Sequence, residues 1–144
     1  MTPAKFIGIA EVENKGEQYS TWMKSNGHEL VADELQEFGG QNLGPSPGDY
    51  LCMSLASCKA ITLRMYIQRK RWKVDTINIK VNLVKGSHSA SGLNTFHCEI
   101  TVTGDINADQ QKRLVEIAKV CPISRLLGKQ NEVITMIGIS SSSI

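Results

Sequence analysis

Residues 44–71 read GPSPGDYLCMSLASCKAITLRMYIQRKR, a proline-punctuated opening followed, from Asp49, by a run free of Gly and Pro. Ser46 stands where an N-cap belongs, and Pro47 suits a first helical turn, where its missing N–H costs nothing. The apolar residues then fall on two sides of a helical wheel. Leu51, Leu55, Cys58, Thr62 and Met65 form one stripe, and Met53, Ala56, Ala60, Leu63 and Ile67 form another. A helix apolar almost all round belongs inside something. This one is too short to cross a bilayer before Gln68-Arg69-Lys70-Arg71 closes it with cations, which suit the negative end of a helix macrodipole. The pattern predicts a central helix over 47–71, buried in protein and at a subunit interface.

Working upstream, residues 1–43 divide into three short apolar runs, Lys5 to Val12, Tyr19 to Lys24 and Glu29 to Asp33. The turn-prone Asn14-Lys15-Gly16 and Ser25-Asn26-Gly27 separate them, so three N-terminal strands are expected. Downstream, residues 73–139 hold two alternating segments: Asp75, Ile77, Ile79, Val81 and Leu83, then Phe96, Cys98, Ile100 and Val102. These predict half-buried strands joined by the polar loop Gly86 to Gly92. Asn107 with Gln110 three residues on resembles a capping box, and Leu114, Ile117, Ala118 and Cys121 share one face of the helix it opens. Pro122 breaks that helix and starts a short one, Ile123 to Leu127, ended by Gly128. Glu132 to Ile139 reads as a last strand, and Ser140 to Ser143 as a frayed tail. No internal repeat is present, and the class is α+β in a single domain over 1–144.

Charge excludes one large class of function. Sixteen basic and 14 acidic residues give a net charge of +2, which is no footprint for nucleic acid. No run approaches the roughly 18 apolar residues of a membrane span, and the first residues lack the pattern of a secretory leader, so a cytoplasmic protein is expected. Four cysteines, Cys52, Cys58, Cys98 and Cys121, are too few for a disulfide scaffold and contain no CxxC; His28, His88 and His97 are scattered, so no metal site is expected.

Most buried cysteines behave as small hydrophobes. Cys98 is expected on the core face of its strand with Phe96 and Ile100, and Cys52 in the apolar helix beside nothing ionisable. Both read as structural. Cys121 differs because it lies at a break between helices, where free backbone N–H groups favour a thiolate. Cys58, between Ser57 and Lys59, stays undecided on its own residues, since burial makes a thiol inert unless a cation and hydrogen-bond donors reach it.

The ordered set of Gly44-Pro45-Ser46-Pro47, Leu55-Ala56-Ser57-Cys58, Thr62-Leu63-Arg64-Met65-Tyr66, Arg69-Lys70-Arg71-Trp72 and Val120-Cys121-Pro122-Ile123-Ser124 resembles the OsmC/Ohr family, in its OsmC-like subgroup, from about His28 to Val133. The resemblance implies antiparallel sheets wrapped around a long buried central helix, in an intertwined homodimer whose active site is shared between subunits. It implies a peroxidatic Cys58 that becomes a sulfenic acid on reacting with a small organic hydroperoxide, and a resolving Cys121 that closes a disulfide onto it. An external dithiol or lipoyl-type reductant would reopen the disulfide. No metal, flavin or haem is implied. The alternative is a catalytically weak dimer that senses oxidant or binds a small ligand.

Members of the family also carry an acid near the start of the long helix and an arginine in an N-terminal loop. Here the acid is expected to be Asp49, since Gly48 occupies the other common position. Nine residues of helix rise about 13.5 Å, so Asp49 would serve the partner subunit's cysteine. No arginine precedes Arg64; the N-terminal cations are Lys5, Lys15, Lys24 and His28. Arg64, Lys24 and His28 are therefore the pocket candidates. Arg125 reads as a solvated helix charge, and Trp22, Tyr50, Tyr66 and Trp72 suit either a channel wall or ordinary packing.

Overall fold

The computed structural model describes residues 6–139. In chain order the elements are β1 (Glu11–Glu13), β2 (Thr21–Ser25), β3 (His28–Ala32), α1 (Pro47–Lys70), β4 (Lys73–Val84), β5 (Thr95–Asp105), α2 (Ala108–Lys119) and α3 (Pro122–Leu127). The fold is α+β with two antiparallel sheets, ordered β1-β2-β3 and β4-β5. Contacts gather into two compact units, residues up to 57 with 79–99, and residues 58–78 with those from 100 onward. α1, β4 and β5 each contribute to both.

In the first unit, β2 and β3 form a hairpin that pairs Thr21 with Ala32 and Ser25 with His28. Its two-residue turn is Asn26-Gly27, both at positive φ (50° and 81°), the conformation that lets a tight turn follow the strand twist. The turn fell where the sequence placed it. β1 is shorter than expected and pairs Glu11 with Lys24; Lys5, where the expected strand began, lies outside the described residues.

At the end of β3 the buried carboxylate of Asp33 accepts from the backbone N–H groups of Glu34 (2.7 Å), Gln41 (3.2 Å) and Leu43 (3.2 Å). These bonds hold its pKa below the usual value although burial works the other way. The Asp33 N–H donates to the Pro45 carbonyl (3.2 Å), and Tyr50 Oη donates to the Val31 carbonyl (2.6 Å). The start of α1 is thereby indexed to β3. Ser46 caps it as expected: its Oγ accepts from Asp49 N–H (3.2 Å), while the Asp49 carboxylate accepts from Ser46 N–H (3.0 Å).

The second unit holds most of the deeply buried side chains. Leu63 and Ile67 of α1, Leu114 and Ala118 of α2, and Cys121 are each 2% exposed or less. α1 ends where Arg71 turns left-handed (φ 58°), with Arg71 N–H donating to Gln68 O and Trp72 N–H to Ile67 O, a Schellman motif with arginine in the place usually held by glycine. Tyr66 and Trp72 pack edge to face, ring centroids 5.4 Å apart. α2 opens with the expected capping box of Asn107 and Gln110.

Two expectations fail. Glu132 to Ile139 forms no strand, and Val133, Ile134, Met136, Ile137 and Ile139 stay exposed. A strand exists only through a ladder, and the segment has no partner strand among the described residues. The expected burial of α1 holds on one face within this chain: Leu55, Lys59, Leu63 and Ile67, at helical four-residue spacing, are buried, whereas Leu51, Met53, Ile61 and Met65 are exposed. The tail from Ser140 lies outside the described residues. No described helix is long and apolar enough to cross a membrane.

Candidate active site

Cys58 lies on the buried side of α1, half-exposed, and Cys121 at the junction of α2 and α3 is wholly buried. Pro122 makes the junction: it is the first residue of α3, leaving Cys121 at the N-cap with extended backbone (φ −63°, ψ 152°). The first-turn N–H groups of α3 have no helical acceptor and turn to sulfur. Ile123 N–H donates to Cys58 Sγ at 3.5 Å, and the Ser124 N–H favours the Cys121 thiolate. Both cysteines therefore sit at the first turn of α3. The structure thus brings together the two cysteines that the sequence singled out.

Lys59 is the residue that sequence reasoning missed. Its side chain is buried, with 5% of the residue exposed, and Nζ donates to the Ala118 carbonyl at 2.7 Å. Burial pushes the Cys121 pKa up; the Ser124 N–H and the Lys59 ammonium oppose the rise, and Cys58 adds to it. A signal was present in the sequence. Lys59 is the only cation between Asp49 and Leu63, and a lysine on a helix apolar on both sides must deliver its ammonium to some acceptor.

The other candidates are placed elsewhere. The Arg64 guanidinium donates to the Val74 carbonyl (2.9 Å) and the Asp75 carbonyl (3.1 Å), tying α1 to the start of β4. Asp49, Lys24 and His28 belong to the first unit and have their own surroundings there. Asp49 caps α1, Lys24 makes an exposed ion pair with Glu29 (3.9 Å), and His28 opens β3 opposite Ser25. Arg125 is exposed.

Asp49 also lines a cavity of about 480 Å³ with Ser46, Cys52, Met53 and Leu83. Cys52 is therefore not beside nothing ionisable. Burial raises its pKa, the Asp49 charge and Cys98 raise it further, and a Leu83 N–H partly offsets them. Cys98, expected on a core face, is exposed within this chain. No group of His, Cys, Asp and Glu among the described residues is arranged to hold a metal ion.

The family model described as OsmC-like protein matches residues 39–136, more than half of the chain. The chain belongs to the OsmC-like family. No curated protein matches it. Solved structures share the fold. An osmotic stress induced and detoxification response protein of Psychrobacter arcticus superposes with a TM-score of 0.69 at 21% identity, covering 85% of this chain and 91% of that one. An organic hydroperoxide resistance protein OsmC of Legionella pneumophila gives 0.61 at 17% identity, covering 87% and 91%. The organic hydroperoxide resistance protein OhrB of Bacillus subtilis gives 0.57 at 17%, covering 84% and 90%. At these identities the likeness speaks for the fold. The OsmC-like chain carries Cys58 and Cys121 inside the matched span.

Proposed function

We propose that this protein is a cytoplasmic thiol peroxidase that reduces small organic hydroperoxides. One observation carries the reading: Cys58 and Cys121 meet at the first turn of α3, where Cys121 is the N-cap and the Ile123 N–H donates to Cys58 Sγ at 3.5 Å. The Cys58 thiolate attacks the distal peroxide oxygen, an S–O bond forms as the O–O bond breaks, and the alkoxide leaves and takes a proton to become the alcohol. The Cys121 thiolate then attacks the sulfur of the sulfenic acid; the S–S bond forms and hydroxide departs as water. Two thiol–disulfide exchanges with an external dithiol or lipoyl-type reductant restore both thiols. The chemistry needs no metal, flavin or haem.

The functional molecule in this reading is a homodimer. The open face of α1, with Leu51, Met53, Ile61 and Met65, and the unpaired apolar segment from Val133 to Ile139 are the surfaces a second copy would cover. Asp49 would act on the partner subunit's cysteine. A second reading, a slow redox responder of the same fold, is favoured by the engagement of Arg64 with backbone carbonyls and by the absence of any earlier arginine.

Intact mass and free-thiol count after one equivalent of cumene hydroperoxide, or of hydrogen peroxide, separate the readings. Rapid loss of two thiols with the organic peroxide is expected, abolished in Cys58→Ser and arrested at a sulfenic acid in Cys121→Ser. Survival of all four thiols would overturn the peroxidase reading.

A further inference from the structure

A buried ammonium requires compensation, because desolvation removes the water that solvates it. Lys59 Nζ has three donor protons, and the Ala118 carbonyl takes one. That carbonyl lies in the last turn of α2, where the helix macrodipole favours a cation. The ion pairs among the described residues are Lys15–Glu13, Lys24–Glu29 and Arg113–Glu116, so Lys59 has no carboxylate partner there. The anion that would complete its surroundings is close by. Lys59 acts electrostatically on Cys121, three residues beyond its anchor, and Cys121 is wholly buried.

Cys58 and Lys59 are consecutive on α1, so their side chains leave the helix about 100° apart. The two cysteines are consequently served by different groups: Cys58 by the Ile123 N–H, and Cys121 by the Ser124 N–H and Lys59. We propose that Lys59 is a positioning residue for disulfide closure, its ammonium, held on the Ala118 carbonyl, stabilising the Cys121 thiolate that attacks oxidised Cys58. The proposal rests on the roles given to the two cysteines above. Lys59 takes part in no bond change. It supplies a field, while the Cys121 sulfur forms the S–S bond and hydroxide leaves Cys58.

The titratable groups that act on Cys121 are Lys59 and Cys58, both from α1. α2 and α3 present backbone, and their charges nearest in sequence, Lys119 and Arg125, are exposed. A change in Cys121 ionisation on altering residue 59 is therefore attributable to that charge.

The decisive variants are Lys59→Gln, which loses the charge but can still donate to the Ala118 carbonyl, Lys59→Met, and Lys59→Arg as charge rescue. In a Cys58→Ser background, the ultraviolet absorbance of the Cys121 thiolate is titrated with pH, with Cys58→Ser/Cys121→Ser as blank and circular dichroism as the check of folding. Lys59→Gln is expected to raise the ionisation midpoint by about one unit, a tenfold loss of thiolate at fixed pH, and Lys59→Arg to restore it. In the chain that keeps all its cysteines, the less acidic thiolate is about threefold more nucleophilic, so closure slows by about threefold near neutrality. That rate recovers at high pH, while oxidation of Cys58 changes by less than about twofold on the same argument. A merely structural lysine would shift neither midpoint. An unchanged Cys121 midpoint in folded Lys59→Gln overturns the proposal, as does a fall in Cys58 oxidation with closure untouched. Should the unaltered protein fail to react with peroxide, the peroxidase reading falls, and the thiolate titration still decides what Lys59 does.

Discussion

Replacing Arg64 by methionine separates a structural arginine from a peroxide-handling one. The guanidinium spans two carbonyls, Val74 at 2.9 Å in a partly buried contact and Asp75 at 3.1 Å in an exposed one. A hydrogen bond from a charged donor contributes about 1.5–3 kcal/mol net when sheltered and less when wet. Counting about 1.5 kcal/mol for the first and about 0.5 for the second gives roughly 2 kcal/mol for the pair. Methionine keeps the aliphatic stem, so packing contributes little to the difference. With a urea dependence of about 2 kcal/mol per molar, the unfolding midpoint should fall by about 1 M. Variant and parent must be compared at equal protomer concentration, because the stability of the proposed dimer would depend on it. Arg64→Lys should recover half of the loss or less, since an ammonium cannot fork between two carbonyls. In both variants, oxidation of Cys58 by cumene hydroperoxide is expected to stay within about twofold, the scatter allowed for a residue that touches no reacting atom. A tenfold slower oxidation at an unchanged urea midpoint would refute this reasoning and assign Arg64 to the peroxide.

Arg71→Gly should stabilise the protein by about 1 kcal/mol, because the left-handed backbone at φ 58° costs an L side chain about that much and glycine nothing; a higher thermal midpoint checks it. Gly104→Ala should do the reverse. Its φ is 147°, and an added Cβ would meet the Lys73 carbonyl oxygen, the Val74 Cα at 2.7 Å and the Asp75 N at 3.1 Å, all backbone. A loss of at least about 3 kcal/mol is expected in urea unfolding. Gly27→Ala has positive φ but open space, and should lose only about 1–2 kcal/mol.

Where local chemistry alone decided the structure, the sequence was a sufficient guide. Ser46 and Pro47 start α1 and the closing cations end it within a residue, Asn26-Gly27 turns the hairpin, and Pro122 starts α3. Each feature depends on neighbours a few residues apart. Elements that depend on a partner were misread. Glu132 to Ile139 alternates like a strand, but alternation does not supply a second strand to bond to. Cys98 lies on the expected face of β5, where Phe96, Ile100 and Val102 are half-buried, but that face is left open at Cys98 itself, which a period of two cannot foretell. The error at Cys52 was avoidable: Asp49 lies three residues earlier on the same helix and therefore on the same side. Cys58 and Cys121 were singled out together through resemblance. Lys59 was not, because the resemblance points to an N-terminal arginine and carries nothing about the residue next to Cys58.

The carboxylate of Asp33 gathers amides from Glu34, Gln41 and Leu43, and the intervening turn adds bonds from Gly40 N–H to Leu35 O and from Asn42 N–H to Glu34 O. The chain length between residues 34 and 43 is therefore fixed, since one extra residue would misalign every donor with its acceptor. For anyone fitting this scaffold with an epitope tag or a fluorescent reporter, that loop belongs to the chassis. The exposed tip at Lys15 and Gly16, whose backbone N–H groups bond only to the side chains of Glu17 and Asn14, is where foreign sequence can be spliced in.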